Sequence, residues 1–250
     1  MPEIRVRELD LATEGSWSFA DSKLRWQHRP HGVGAEFDPF PAYRHDMLVV
    51  KRETFHVESC TPPIWDVDLY VANRENMSPT NAFSYVTTNG HYNDADVWVK
   101  DPPVGLIVLS GKRTPPHPAV TRHLVAHEYG HIVEYMLEHL RHGSPHGGEV
   151  VKEYAKLRGL SESTLHHGEG GNWHNSATEI FACDFRILIC NTEAEFWPHM
   201  GIPHPLELPV NSQFELSEWW NAATKTLRAE QQRLDTNLKN ATIDAPAAPE

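Results

Sequence analysis

One predicted helix constrains the fold of this chain more than any other stretch. From Pro118 to Leu140 the sequence has no internal proline and a single glycine. Apolar residues recur along the segment and supply helical faces: Val120, Leu124, Val133, Met136, Leu137 and Leu140. Pro118 suits the first turn of a helix, and Gly143 suits its end. The segment therefore predicts a long helix with an apolar side.

The centre of this helix carries the pattern H-E-x-x-H, as His127-Glu128-Tyr129-Gly130-His131. The two histidines lie four residues apart, so both imidazoles leave the same face of the helix. Two neutral imidazoles at this spacing can bind one Zn²⁺, and Glu128 can reach a metal-bound water as a general base without being a ligand. So short a pattern also arises by chance, and 17 histidines raise that chance. Its place inside a well-defined helix favours a metal site.

A catalytic zinc site needs a third protein ligand and an open position for water. The metzincin continuation of the motif would require glycine at position 134 and histidine at position 137, but the chain has Glu134 and Leu137. A downstream segment, residues 175–186, predicts a second helix with Glu179 one turn from its start. Ser176 and Glu179 also fit a capping box, in which the Glu179 carboxylate reaches back to the backbone. Because the H-E-x-x-H motif lies upstream, Glu179 is the better candidate for a ligand.

The two motifs together, H-E-x-G-H followed by E-x-F-A-x-x-F-R, resemble those of the gluzincin metallopeptidases, in which a glutamate on a second helix completes the zinc site. The similarity is nearest to the anthrax lethal factor-like and ImmA/IrrE-type groups, and it covers residues 105 to 190 of the chain. The resemblance implies a zincin-like fold, one Zn²⁺ bound by His127, His131 and Glu179, and Glu128 as the general base.

One position departs from the pattern of that family. Relatives often carry an acidic residue four positions after the ligand glutamate, where this chain has Cys183 and the acid follows as Asp184. This shift argues against a role of Asp184 in orienting a ligand histidine. Peptide hydrolysis on zinc also needs a donor that stabilises the oxyanion. We expect His174 in this role first and Tyr154 second, with a surface or packing role as the alternative for each.

Composition and charge exclude several classes of protein. The formal net charge of −12 and the lack of a Lys/Arg run argue against nucleic-acid binding. No apolar stretch reaches the length of a transmembrane helix, and the N-terminus lacks the apolar core of a signal peptide. Cys60, Cys183 and Cys190 make a poor disulfide framework, and the latter two lie too far apart on one helix to bridge each other. We therefore expect a reduced, cytoplasmic protein without membrane or nucleic-acid partners, with a virion or host-delivered protein as the alternative.

The order of predicted elements indicates an α+β, zincin-like fold. We expect residues 1–46 to form an irregular N-terminal arm or cap, residues 47–240 the zincin-like peptidase domain, and residues 241–250 a flexible tail. Runs of β-branched and aromatic residues predict strands at 47–50, 65–71, 81–88, 95–99 and 104–110. The resulting small mixed sheet precedes the H-E-x-x-H helix and the glutamate helix, and a final helix is predicted at 213–239.

These features predict a zinc-dependent peptidase with a peptide or protein substrate. They make no prediction about its oligomeric state. Zn²⁺ would lower the pKa of a bound water toward about 7, and Glu128 would take its proton during attack on the peptide carbonyl. The resemblance to zincin-like folds also implies that an edge strand of the sheet aligns an extended peptide by strand addition. Two alternatives are a non-catalytic zincin-like structural or regulatory module, such as a virion or toxin-associated component, and a metal-dependent amidohydrolase with a non-peptide substrate. The intact Glu128 argues against the first, because a structural zinc site needs no base.

Overall fold

The computed structural model shows a mixed α+β architecture. It describes residues 2–9, 16–20, 23–27, 35–76, 82–87, 90–92, 98–161, 175–192, 197–199 and 201–243. The strands are β1 (Ile4–Leu9), β2 (Ser16–Ala20), β3 (Lys23–Gln27), β4 (Ala35–Pro41), β5 (Val67–Ala72), β6 (Arg74–Asn76), β7 (Ala82–Thr87), β8 (Gly90–Tyr92), β9 (Trp98–Lys100) and β10 (Val104–Leu109). The helices are α1 (Met47–Cys60), α2 (Pro118–His142), α3 (Glu149–Leu157), α4 (Ala177–Asp184) and α5 (Val210–Ile243). A π-helical turn, Phe185–Ile189, continues α4, and a 3₁₀ turn, Pro205–Glu207, precedes α5.

The central sheet is mixed and has the strand order β1-β5-β10-β7. β1, β5 and β10 run parallel, and β7 pairs antiparallel with β10. β10 is buried from Gly105 to Leu109, as expected for a strand covered on both faces. Among the described strands β7 pairs only with β10, so it is an edge of the sheet. α2 contacts both of these strands, which places the H-E-x-x-H helix beside the β7 edge.

The N-terminal region is divided between two sheets. β1 pairs with β5 along its whole length, so the region predicted as an arm or cap contributes one strand to the central sheet. β2, β3 and β4 join β6 in a second, antiparallel sheet with the order β3-β2-β4-β6. β8 and β9 form an antiparallel pair of their own. β9 includes the end of the strand predicted at 95–99, whose first residues lie outside the described part of the chain.

The strand predicted at residues 47–50 is wrong, because this stretch is the first turn of α1. Asp46 caps the helix by accepting a hydrogen bond from the Leu48 amide at 2.8 Å. The buried side chains of α1 recur at helical spacing: Val50, Glu53, Thr54 and Val57. The β-branched composition of the stretch favours a strand, but the cap and the helical spacing outweigh that preference.

The predicted H-E-x-x-H helix is confirmed as α2 and ends at the predicted glycine. His117 caps its N-terminus by accepting a hydrogen bond from the Ala119 amide at 3.2 Å, and Gly143 follows its last turn in the left-handed conformation with φ of 76°.

α5 extends beyond the predicted 213–239 in both directions, and residues 244–250 of the predicted tail lie outside the described part. The buried side chains of α5 form one narrow stripe along the helix: Leu216, Trp220, Ala223 and Leu227. No helix among the described residues is long and apolar enough to cross a membrane.

Candidate metal centre

The close approach of α2 and α4 depends on the glycine inside the H-E-x-x-H motif. A Cβ atom at Gly130 would lie 2.9 Å from the Ala182 Cα and 3.0 Å from the Ala182 carbonyl oxygen. Because those two atoms belong to the backbone, only glycine allows the helices to pack at this distance. The contact places the first turn of α4, which contains Glu179, beside the histidines of α2.

The structure brings His127, His131 and Glu179 together. Glu179 Oε2 lies 3.0 Å from His127 Nε2, and Glu179 Oε1 lies 3.5 Å from His131 Nε2. One ligand atom from each of the three side chains lies within 4.8 Å of the other two, so the group could hold a metal ion. The three side chains are 11%, 13% and 17% exposed, respectively, so a small part of the group reaches solvent.

Ser176 caps α4 without using the Glu179 carboxylate. The Ser176 hydroxyl accepts a hydrogen bond from the Glu179 amide at 3.4 Å. The Glu179 carboxylate contacts the two histidines of α2 instead. Only the first half of the capping box is therefore formed, and the carboxylate is available as a metal ligand.

Cys183 contacts His127 from the side opposite Glu179, a role that the sequence did not predict. Its Sγ lies 3.3 Å from His127 Nδ1, while His127 Nε2 faces Glu179. Cys183 is fully buried. The sulfur engages Nδ1 and so directs Nε2 toward the other two members of the group. The sequence signal is the spacing of four residues from Glu179, which puts both side chains on one face of α4.

The charges around the three side chains favour a cation. Burial alone would raise the pKa of Glu179, but the charge of His131 and hydrogen bonds from both histidines lower it. Burial alone would lower the pKa of His127 and His131. Cys183 and Glu179 raise the pKa of His127, and Glu179 and Glu134 raise the pKa of His131. The Glu179 carboxylate therefore stays ionised and attracts positive charge, either as imidazolium protons or as a metal ion.

Glu128 is held by a side chain of the edge strand. Its Oε2 accepts a hydrogen bond from Ser84 Oγ of β7 at 2.8 Å. Glu128 is buried, and burial raises the pKa of its carboxyl group despite the opposing charges of His127 and His131. No sequence pattern points to Ser84, because its contact with Glu128 depends on how a strand and a helix pack in space.

A closed polar cluster on another face of α4 contains Tyr154. The Tyr154 hydroxyl donates to Asp184 Oδ2 at 2.5 Å, and Arg158 Nε donates to the same oxygen at 2.6 Å. All three residues are buried. This position fits the packing role that the sequence left open for Tyr154 rather than that of an oxyanion donor. His174, the first choice for the oxyanion donor, lies outside the described residues.

We searched the described part of the chain for groups of three or more His, Cys, Asp or Glu side chains whose ligand atoms lie within 4.8 Å of one another. One group meets this criterion: His127, His131 and Glu179. Two imidazole nitrogens and one carboxylate oxygen are ligand types of catalytic zinc sites. This group could therefore hold a metal ion. Comparisons of the chain with protein-family models, with curated proteins and with solved structures found no match.

Proposed function

We propose that this chain is a zinc-dependent peptidase of the gluzincin type, with a zincin-like fold. The observation that carries the proposal is the convergence of His127 Nε2 and His131 Nε2 on the Glu179 carboxylate, at 3.0 and 3.5 Å. A bound Zn²⁺ would supply Lewis acidity, which polarises a carbonyl and lowers the pKa of water toward about 7. Two neutral imidazoles and one carboxylate leave a net positive charge and an open position at such a site.

Groups behind the two histidines favour the orientation of ligands, Cys183 by direct contact and Glu134 by its nearby charge. Cys183 Sγ lies 3.3 Å from His127 Nδ1, and Glu134 Oε2 lies 3.9 Å from His131 Nδ1. In both rings Nδ1 faces an acceptor and Nε2 faces Glu179. The proton of each neutral ring therefore belongs on Nδ1, and the lone pair of Nε2 is directed at the metal position.

Glu128 is the residue that moves the proton. Ser84 donates to Glu128 Oε2 at 2.8 Å, which leaves Oε1 available to accept the proton of a water. Burial raises the pKa of this carboxyl group, so it holds the proton until the leaving amine takes it. The charges of His127, His131 and Glu179 all act on this carboxylate, which supports a position close to the metal ligands.

The edge strand β7 is the surface on which we place the substrate. β10 occupies one side of β7, and Ser84 in its middle contacts Glu128. An extended peptide that pairs with the other side of β7 would pass the metal ligands as an additional strand, with backbone hydrogen bonds that supply affinity. This arrangement favours a peptide over a small amide as the substrate.

The cysteines support a reducing compartment, and we place the protein in the cytoplasm. Cys60, Cys183 and Cys190 are all free thiols, and the latter two are buried. Free thiols of this kind are typical of proteins in compartments where glutathione and thioredoxin keep cysteines reduced.

The substitution Glu128→Gln separates metal binding from catalysis. It keeps the three ligands and removes only the proton acceptor, so bound zinc should stay at one ion per chain while cleavage of a peptide library is lost. Glu218→Gln, at an exposed position of α5, is the matched control and should cleave peptides like the wild type. Full activity of Glu128→Gln would show that the base is assigned incorrectly.

The same assay separates the alternatives. Peptide cleavage that a chelator abolishes supports the peptidase. Zinc binding without hydrolysis of peptides or simple amides would indicate a non-catalytic module. Chelator-sensitive hydrolysis confined to non-peptide amides would indicate an amidohydrolase.

A further inference from the structure

A pair of cysteines lies outside the metal centre, where the ends of two elements meet. Cys60 is the last residue of α1, and Cys190 follows the π-helical turn after α4. His56 Nε2 lies 2.7 Å from the Cys190 carbonyl oxygen and 4.0 Å from Cys60 Sγ. One imidazole therefore contacts both cysteines, the thiol of Cys60 and the backbone carbonyl of Cys190.

The two thiols differ in exposure and in acidity. Cys60 is partly exposed, whereas Cys190 is buried. The hydrogen bond with Cys190 and the charge of His56 lower the pKa of Cys60 to about 6, against the effects of burial and of Glu53. The same hydrogen bond, burial and Glu53 raise the pKa of Cys190, which Arg186 opposes. An accessible thiolate beside a protonated partner thiol is the arrangement of an oxidisable cysteine and its resolving cysteine.

We propose that Cys60 and Cys190 form a thiol oxidation site that hydrogen peroxide converts to a disulfide. The Cys60 thiolate attacks one peroxide oxygen: the O–O bond breaks, hydroxide leaves, and the sulfur becomes a sulfenic acid. The Cys190 thiol then attacks that sulfur: the S–S bond forms, the S–O bond breaks, and water leaves with the Cys190 proton. The two cysteines lose two electrons in total, and the peroxide gains them. Glutathione returns the pair to thiols by thiol–disulfide exchange, with oxidised glutathione as the product.

The disulfide would join two elements that pack against α2, the helix of the H-E-x-x-H motif. Tyr129, inside the H-E-x-x-H motif, donates a hydrogen bond to the Thr61 carbonyl at 2.8 Å, and its ring lies 6.0 Å from that of Phe185. Tyr129 therefore contacts Thr61, which follows Cys60, and Phe185, which begins the π-helical turn that ends before Cys190. A bond between the cysteines would fix α1 to the continuation of α4 around Tyr129, and this holds whether or not the chain is a zinc peptidase.

Oxidation of the full chain with hydrogen peroxide tests the proposal directly. Peptide mapping without reductant should find a Cys60–Cys190 cross-link, while Cys183 stays a free thiol in the same molecules. The oxidised chain should melt about 5–10 °C above the reduced chain, as is typical of a disulfide that closes a long loop. A cross-link to Cys183, or loss of the Cys60 thiol without a link to Cys190, would overturn the proposal.

Variants and a pH profile test the order of the two steps. Cys190→Ser should stop at the sulfenic acid, which a sulfenic-acid-selective reagent traps, and Cys60→Ser should resist dilute peroxide. In the wild type, alkylation of Cys60 should follow a pH profile with its midpoint at about 6, and His56→Gln should move that midpoint upward. A midpoint at the ordinary thiol value of about 8.5 would contradict the assignment even if neither cysteine variant folds.

Discussion

Two faces of α4 carry buried charge in different ways. On one face Glu179 meets His127 and His131, whose side chains are 11% and 13% exposed. On the other face Asp184 meets Arg158, and both side chains are 0% exposed. Arginine is a permanent cation and closes its cluster, whereas histidine can exchange its proton for a metal ion. The comparison indicates that the Asp184 face contributes stability and the Glu179 face is suited to bind a ligand.

Adjacent residues of α4 belong to opposite clusters. Cys183 contacts His127, and the next residue, Asp184, contacts Arg158. Neighbouring side chains on a helix point about 100° apart, so a shift of one position moves a side chain from one cluster to the other. Asp184 therefore joins α4 to Arg158 at the end of α3, and the atom that contacts His127 Nδ1 is the sulfur of Cys183.

Among these variants, Glu179→Gln should have the largest effect, a loss of zinc affinity without a loss of folding stability. The amide keeps the size of the side chain but loses the charge that attracts a cation. Zinc affinity should therefore fall by at least about 100-fold, more than for typical outer partners of a metal site, and peptide cleavage should be lost. The histidines can release their protons, so the variant should stay folded. Calorimetric titration with zinc and thermal unfolding measure the two effects, with Glu218→Gln as the control. Wild-type zinc affinity in Glu179→Gln would remove Glu179 from the site.

Arg158→Met should affect stability instead of zinc binding. It leaves the Asp184 carboxylate buried without its cation, which lowers the free energy of unfolding by about 3–5 kcal/mol. The double variant with Asp184→Asn should recover part of that loss, because no charge stays buried. Arg233→Met is the matched control: Arg233 is 60% exposed in its pair with Glu230, so the loss should stay below about 1 kcal/mol. Denaturant unfolding measures all three, and an Arg158→Met loss as small as the control would show that the closed cluster does not stabilise the fold.

Gly130→Ala should disturb the contact between the helices and, through it, the position of Glu179. The added methyl group would lie 2.9 Å from the Ala182 Cα, so α4 must move away from α2 at a cost of about 1–3 kcal/mol. Zinc affinity should fall together with stability in the same titration and unfolding experiments. Ala182→Gly should not rescue the variant, because the nearest atoms are backbone. Rescue by that second change would place the clash on the Ala182 side chain instead.

Cys183→Ala should have the smallest effect and should act on zinc binding. Loss of the sulfur behind His127 frees the ring to rotate, so zinc affinity should fall by about 10-fold, within the range for outer partners of a metal site. Cys183→Ser should lose less, because a hydroxyl can still accept a hydrogen bond from Nδ1. Competition with a chelator of known affinity measures both variants. An unchanged affinity in the alanine variant would assign Cys183 to packing alone.

Local signals explain which parts of the molecule could be predicted from the sequence. The H-E-x-x-H helix and its terminal glycine were predicted because spacing and helix-end preferences are local properties. The start of α1 was missed because its β-branched residues favour a strand until the Asp46 cap is considered. The contacts of Ser84 with Glu128 and of Cys183 with His127 join distant segments, and they depend on packing that no local pattern encodes.

A crystal structure of the zinc-loaded chain, with anomalous diffraction recorded at the zinc edge, tests the central claim most directly. We expect one zinc peak per chain, about 2.0–2.2 Å from His127 Nε2, His131 Nε2 and a carboxylate oxygen of Glu179. A peak held by other side chains, or a Glu179 carboxylate turned back onto the backbone of α4, would contradict the assignment of this site.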